Sequence, residues 1–130
     1  MCGIAGFFGE NKNCRINRQN TIVDMMSAIK HRGPDDEGFW HESEFNVCLG
    51  HRRLSIVDLS SQGHQPMASC SNRYVIVFNG EIYNHLFLRE SLKKSSIDIT
   101  WRGHSDTETL LACIDTWGLE KTIKKCSGMF

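Results

Sequence analysis

The pattern of apolar and polar positions predicts a chain that mixes helices and strands. One amphipathic helix face, with apolar residues at i, i+3, i+4 and i+7, is predicted by Ile22, Met25, Met26 and Ile29. That helix is expected to stop at residues 31–35, because Gly33 and Pro34 cannot continue it. Strands are predicted at residues 3–8, 38–41, 45–57 and 74–78. The last of these is rich in β-branched and aromatic residues, so we expect it to be buried.

Turn and capping signals divide the rest of the chain. Residues 58–72 are polar and predict a long loop, after which Asn84 is expected to cap a helix running to about Lys94. Ser105 and Glu108 form the S-x-x-E pattern of a capping box, and they predict the start of another helix. Leu110, Ile114 and Trp117 give that helix an apolar face, and Gly118 is expected to end it. Residues 126–130 suggest the entry to a further strand.

Composition indicates one globular domain and excludes several classes of protein. Of the 130 residues, 40% are hydrophobic and 23% are charged, which is typical of a globular protein. Lys plus Arg equals Asp plus Glu, at 15 each, so there is no electrostatic footprint for nucleic acid or an anionic membrane. The sequence offers no membrane span, signal peptide or myristoylation motif. We therefore expect a cytoplasmic protein.

The cysteines argue against a metal centre and against a disulfide framework. They form no C-x-x-C pair and no cluster with histidine, so no metal site is predicted. Without a secretion signal, disulfides are not expected either. Five of the six are expected to be reduced and structural: Cys14, Cys48, Cys70, Cys113 and Cys126.

Cys2 is the exception, because removal of Met1 would make it the first residue of the chain. It would then carry a thiol and a free α-amine, and the amine could take the proton of the thiol. Residue type alone would favour a small buried cysteine in the first strand. The motifs that follow favour the nucleophile instead.

Asn79-Gly80 admits two interpretations that do not exclude each other. Asn-Gly between apolar residues is a strong signal for a β-hairpin turn. The same pair offers an amide side chain and a backbone N–H, and two converging donors can hold an oxyanion.

Charged residues offer a candidate site for a free amino acid. The planar fork of an arginine suits a carboxylate. Arg52 and Arg53 are adjacent on a predicted strand, so at most one of them faces a given site, and a solvated surface pair is the simpler interpretation. Glu81 and Asp106 could bind an ammonium group, although Asp106 also fits the first turn of a helix on electrostatic grounds alone.

Five motifs in order give a specific family resemblance. They are MCGIAG at residues 1–6, HRGPD at 31–35, RLSIVD at 53–58, FNGEIYN at 78–84 and SDTE at 105–108. Together they resemble the class II glutamine amidotransferase domain of glutamine-hydrolysing asparagine synthetases, over nearly the whole chain. The phrases GHQPM at 63–67 and GHSD at 103–106 resemble the branch found in surface-polysaccharide gene clusters.

The resemblance implies a fold and a catalytic role for three residues. The fold is α+β, a four-layer α/β/β/α N-terminal-nucleophile hydrolase sandwich. Cys2 would attack the side-chain carboxamide of glutamine with its own α-amine as general base. Asn79 and Gly80 would hold the oxyanion, and a γ-glutamyl thioester would form and then be hydrolysed.

The resemblance also assigns substrate-binding residues. The α-carboxylate of L-glutamine would be held by Arg53, helped by the backbone of Leu54, Ser55, Ile56 and Val57. Glu81 and Asp106 would bind the α-ammonium group. Arg32 and Gly33 would shape the loop beside Cys2.

The sequence departs from the family pattern where it ends, at Phe130. It contains no S-G-G-x-D-S loop, so the ATP and Mg²⁺ that the family uses to activate aspartate are expected in a synthetase domain normally in cis. We therefore expect residues 2–130 to be a partial amidotransferase domain whose second sheet is incomplete. No cofactor is expected in this chain, and a homodimer is left open.

Two alternatives to ammonia supply for asparagine synthesis are kept. One is a non-catalytic remnant of the domain. The other is an amidotransferase for another acceptor, such as a surface-polysaccharide precursor. Enzymes that make an amino sugar or a phosphoribosylamine are disfavoured by the motifs at residues 53–58 and 78–84.

Overall fold

A computed structural model describes residues 2–9, 18–55, 60–95 and 99–130 of the chain. These residues divide into two compact units. The first unit contains the described residues up to 55 together with 64–66, and the second contains 60–63 and the described residues from 67 onward. Ile56, Val57 and Cys14, which the sequence analysis singled out, lie outside the described residues.

The first unit is built on a three-stranded antiparallel sheet with one helix packed on it. In chain order its elements are β1 (Gly3–Phe8), α1 (Arg18–Ala28), a 3₁₀ turn (Lys30–Arg32), β2 (Asp36–Glu42) and β3 (Val47–Arg53). The strand order is β1-β3-β2, so β3 lies in the middle. Gly3 pairs with Arg52 on one side of the sheet, and Asp36 pairs with Arg53 on the other.

The core of the first unit confirms the predicted helix face. Ile22 and Met26 are buried against Ala5 and Cys48, and Met25 and Ile29 pack at the margin of this cluster. The helix ends at Ala28, close to the predicted stop. The predicted strand at residues 45–57 was too long, because β3 ends at Arg53 and residues 54 and 55 are not in a strand.

The second unit combines short strands with helices. In chain order its elements are a 3₁₀ turn (Ser61–Gly63), β4 (Met67–Ala68), β5 (Val75–Ile76), β6 (Glu81–Ile82), α2 (His85–Lys94), α3 (Asp106–Trp117), α4 (Leu119–Ile123) and β7 (Gly128–Met129). β4 pairs with β5, and β6 pairs with β7, both antiparallel. None of the described helices is long and apolar enough to cross a bilayer.

Helices α2 and α3 and strand β6 build the core of the second unit. Its buried apolar side chains are Ile82, Leu88, Leu92, Leu110, Cys113 and Ile114. The predicted start of α3 is confirmed, because Ser105 Oγ accepts a hydrogen bond from Glu108 N at 3.2 Å. The predicted end is confirmed as well: Gly118 has a φ of 82°, and its N–H donates to Ile114 O.

Two other predictions in this unit were wrong in extent. The expected loop at residues 58–72 contains the 3₁₀ turn and strand β4. The expected buried strand at residues 74–78 is reduced to Val75–Ile76, and its residues are half-buried. A strand extends only as far as its partner does, and β5 pairs with only two residues of β4.

The predicted helix ending near Lys94 is confirmed, but the predicted capping role of the Asn84 side chain was wrong. Asn84 occupies the residue before α2, but its side chain makes no capping hydrogen bond there. Its Nδ2 donates to Lys125 O at 2.9 Å, and its Oδ1 accepts from Ser127 N at 2.9 Å. The side chain therefore fastens the segment that leads into β7 to the start of α2.

Candidate active site

Cys2 lies directly before β1 and contacts the residue that follows β3. Its Sγ is 3.3 Å from Leu54 N, which donates to it, and 3.7 Å from Leu54 O. This contact follows from the sheet, because the pairing of Gly3 with Arg52 carries Cys2 to the end of β3. The Cys2 side chain is half-buried, so the sulfur is neither sealed in the core nor fully in solvent.

Arg32 contacts Cys2, and Gly33 contacts the end of β3. Arg32 Nε donates to Cys2 O at 3.2 Å, so its side chain braces the residue that carries the thiol. Gly33 packs against the last two residues of β3. A Cβ atom there would clash with the carbonyl group of Arg52 and lie 2.6 Å from Arg53 N. Only a residue without a side chain fits this approach of two backbones.

The two adjacent arginines are both buried, so the solvated surface pair was the wrong interpretation. Arg52 is 4% exposed and Arg53 is 8% exposed. Arg52 Nη1 pairs with the Glu37 carboxylate, which lies directly opposite it in the β2–β3 register. Glu37 is thus a structural partner of Arg52 within the sheet.

The backbone after Arg53 is held by internal acceptors. Leu54 N donates to Cys2 Sγ, and Ser55 N donates to Asp35 Oδ2 at 2.7 Å. Asp35 N in turn donates to Arg53 O at 3.0 Å. A substrate carboxylate bound by these N–H groups would compete with the acceptors they have here.

Gly33→Ala is expected to destabilise the chain by about 1–3 kcal/mol, the usual cost of overpacking. The clash is with main-chain atoms of β3, which cannot move without disturbing the sheet. The measurement is the free energy of unfolding in urea. Gly9→Ala is the matched control, since a Cβ atom on Gly9 meets nothing within 4 Å. Equal unfolding midpoints for the two variants would contradict this account of Gly33.

Asn79 and Gly80 connect two different sheets, so the hairpin interpretation was wrong. β5 before them pairs with β4, whereas β6 after them pairs with β7. Both residues are exposed. Gly80 lies against the end of the chain: a Cβ atom there would be 2.7 Å from Met129 O and 2.8 Å from Phe130 Cβ. The glycine is thus required by packing, whatever ligand it also meets.

Asp106 contacts the backbone of β6 at Ile82, the residue after Glu81. Asp106 is 8% exposed, and its Oδ2 accepts from Ile82 N at 2.8 Å. Its Oδ1 accepts from Thr107 N at 2.8 Å, as an acidic residue in the first turn of a helix can. Glu81 is exposed on the short strand β6. The backbone of β6 therefore lies against the first turn of α3.

The structure therefore groups the expected site residues within each unit. The first unit holds Cys2, Arg32, Gly33, Arg53, Leu54 and Ser55, all at or beside the end of β3. The second holds Asn79, Gly80, Glu81 and Asp106, around β6 and the start of α3. In the part of the chain that the structure describes, no group of three His, Cys, Asp or Glu side chains could hold a metal ion.

Three further cysteines have thiols whose pKa is raised by burial. Burial raises the pKa of the Cys113 thiol to about 12, and the neighbouring Cys126 adds to that rise. Burial also raises the pKa of Cys48 and of Cys126. These three thiols therefore stay protonated and unreactive at neutral pH. Cys70 is exposed, so it is not part of the core.

One buried charged pair was missed by the sequence analysis. Arg89 of α2 and Glu108 of α3 are 9% and 5% exposed, and Arg89 Nη2 lies 3.2 Å from Glu108 Oε2. A signal was present, because Arg89 sits between Leu88 and Leu92 on the buried side of α2. Charged residues are almost never buried without a partner, so an arginine at a buried helix position predicts a buried partner.

Comparison with known proteins adds a family match to this geometry. The family described as "Glutamine amidotransferase domain" matches residues 1–130. Among the curated relatives, asparagine synthetase (glutamine-hydrolyzing) 1 of Bacillus subtilis is 40% identical over the whole chain, which covers 20% of that protein. Asparagine synthetase (glutamine-hydrolyzing) 2 of Arabidopsis thaliana is 37% identical over the whole chain, covering 21% of its length.

A relative with a different description matches as well. Amidase chyE of Penicillium rubens is 33% identical over 92% of the chain, and the match covers 18% of that protein. The chain thus spans about a fifth of the length of these relatives.

Proposed function

Because the chain belongs to the glutamine amidotransferase domain family, we propose that it hydrolyses the side-chain amide of L-glutamine with Cys2 as the nucleophile. The observation that carries the proposal is the environment of Cys2 at the end of β3. Its half-buried sulfur receives the Leu54 N–H, and the buried Arg53 is the preceding residue. A nucleophile and a cation for the substrate carboxylate are thus neighbours.

The proposed reaction has two steps at Cys2. After removal of Met1, the α-amine takes the thiol proton, and the sulfur attacks the amide carbon of glutamine. The oxyanion that forms is held by the Asn79 amide and the Gly80 N–H. It collapses as the departing amide nitrogen takes the proton back from the α-ammonium group of Cys2 and leaves as ammonia, and a γ-glutamyl thioester remains. Water then attacks the thioester, releasing glutamate and regenerating the thiol.

The substrate is held by its two charged α-groups in this proposal. Arg53 binds the α-carboxylate, assisted by backbone N–H groups of residues 54–57. Glu81 and Asp106 bind the α-ammonium group, and the buried position of Asp106 at 8% exposure supports a strong interaction there. Arg32 supports the backbone of Cys2, and Gly33 packs against the backbone of Arg53.

The finer fold and the fate of ammonia are part of the same proposal. We propose the four-layer α/β/β/α arrangement of N-terminal-nucleophile hydrolases for the family domain, with residues 2–130 as part of it. The ammonia would serve ATP-dependent synthesis of asparagine from aspartate in the cytoplasm, in a synthetase domain in cis that binds ATP and Mg²⁺. Names of relatives as glutamine-hydrolysing asparagine synthetases support this acceptor.

Labelling with the glutamine analogue 6-diazo-5-oxo-L-norleucine tests the proposal. Intact mass should show a chain that lacks Met1 and gains one adduct, which peptide mapping places on Cys2. Glutamate release should stop in proportion to labelling.

Cys70 provides the internal control for this experiment. It is an exposed thiol, so a reagent that reads only accessibility would label it too. Iodoacetamide should modify Cys70, whereas the diazoketone should not. An adduct on Cys70 alone, or an active chain that retains Met1 throughout, would refute the proposed nucleophile.

A further inference from the structure

Four hydrogen bonds join the guanidinium group of Arg89 to groups around the start of α3. Its Nε donates to Thr109 Oγ1 at 2.7 Å. Its Nη1 donates to Gly103 O at 2.9 Å, and its Nη2 donates to Ser105 O at 3.2 Å and to Glu108 Oε2 at 3.2 Å. The planar fork of arginine allows one side chain to serve this many acceptors at once.

Glu108 completes the same network from the other side. Its Oε1 accepts from Arg102 N at 2.7 Å, and its Oε2 accepts from Gly103 N at 3.1 Å. A Trp101 ring covers the Arg89 guanidinium, with its centroid 4.0 Å from Cζ. Arg89 and Glu108 thus fix the backbone of the segment that enters α3.

Asp106 connects this hydrogen-bond network to the proposed site. Asp106 follows Ser105, whose carbonyl Arg89 holds, and its carboxylate receives the Ile82 N–H. A buried charge is costly to maintain unless it is paired, and a buried ion pair often adds specificity of arrangement rather than stability. The concentration of bonds at residues 103–109 therefore indicates a role in locating Asp106.

We infer that Arg89 is a positioning residue that fixes the Asp106 carboxylate for the substrate ammonium group, an inference that rests on the proposed function of Asp106. Arg89 does not touch the substrate. It acts through the carbonyl groups of Gly103 and Ser105, and Glu108 holds it in place. Lysine keeps the charge at this position but has no fork to reach the same acceptors.

The first test compares L-glutamine with glutaramate, which is glutamine without its α-amino group. Arg89→Lys should lower the preference for glutamine, as the ratio of the two kcat/KM values, by on the order of tenfold, since misplacement by about 1 Å can cost up to 10²-fold. Lys93→Gln is the matched control, because it removes an exposed ion pair with Glu90 from the same helix. An unchanged ratio of the two kcat/KM values, including one that results from an equal loss on both substrates, would overturn the inference.

Hydrogen exchange at the Ile82 amide decides the same point without using activity. Arg89→Lys should reduce the protection of Ile82 N–H, which Asp106 accepts, while Leu92 and Cys113 in the core stay protected. Retained protection at Ile82 would refute the positioning role. If the unsubstituted chain released no glutamate, the proposed function would fail, and this exchange measurement would still judge Arg89.

A milder variant covers the case in which Arg89→Lys does not fold. Thr109→Val removes a single acceptor of Arg89 while keeping a side chain of similar shape. Thr109 Oγ1 also donates to Ser105 O at 3.2 Å, so the variant loosens the same carbonyl. It should shift the substrate ratio and the Ile82 exchange in the same direction by a smaller factor. No shift in either measurement would overturn the inference.

Discussion

Cys2→Ala is expected to abolish glutamate release from L-glutamine, with a fall in kcat on the order of 10⁶-fold, the scale seen when a hydrolase loses its nucleophile. Alanine cannot form the thioester, and the α-amine that remains has no thiol to deprotonate. The side chain bonds only to the backbone of Leu54 in the contacts described above, so the substitution should leave the sheet intact. Glutamate release measured with a coupled dehydrogenase tests this directly.

Cys70→Ala is the control for the loss of a cysteine as such. Cys70 is exposed in the second unit, and its removal should leave both turnover and the circular dichroism spectrum unchanged. If Cys2→Ala released glutamate at a rate comparable with that of the unsubstituted chain, the proposed nucleophile would be wrong. A loss of activity accompanied by a lost thermal transition would instead show that Cys2 is needed for folding.

Asn79→Ala is the second substitution with a large expected effect. It should lower kcat on the order of 10²–10³-fold, which is the usual cost of one oxyanion donor. The KM for glutamine should change little, because the negative charge on the amide oxygen develops only in the transition state. Asn79 is exposed, so the substitution should not lower the melting temperature.

Asn84→Ala is the matched control, because it removes the same side-chain amide five residues further on. Asn84 holds Lys125 O and Ser127 N, so its loss should lower the melting temperature. At a temperature where the variant stays folded, kcat should be close to that of the unsubstituted chain. An Asn79→Ala variant with full kcat would remove Asn79 from the proposed oxyanion site.

Elements with local signals were predictable from the sequence, and α3 shows why. Its start depends on Ser105 accepting the N–H three residues later, and its end depends on a glycine with positive φ. Both determinants lie within a few residues of the boundary that they set. The helix face of α1 was predictable for the same reason, since its buried residues Ile22 and Met26 follow the helical period.

Features that depend on a distant partner were not predictable. Arg52 is buried because Glu37 faces it across the β2–β3 ladder, and nothing near residue 52 in the sequence reveals that pairing. The strand at Val75–Ile76 is short because β4 offers only two residues to pair with. Arg89 and Glu108 meet because α2 packs on α3, and this pairing is set by tertiary packing rather than by local sequence.

In the candidate site too, some features were predictable from the sequence and others were not. Cys2, Arg53 and Asp106 could be named from residue type, motif order and family resemblance. The backbone contact between Leu54 and the sulfur could not be named, because it requires the register of β1 against β3. The occupation of the Ser55 N–H by Asp35 likewise depends on how residues 33–36 pack beside β3.

The pairing of Gly3 with Arg52 has a consequence for how the chain can vary in length. Cys2 directly precedes Gly3, which forms the last pair of this ladder, so no slack in the chain can absorb an insertion. One residue gained or lost within β1 shifts the pairing by roughly 3.3 Å and turns each later side chain to the opposite face. The same change in the turn at residues 43–46, between β2 and β3, leaves the β1–β3 ladder untouched. The register of β1 against β3 therefore sets the position of the nucleophile. Length variation is tolerated in the turn but not in the first strand.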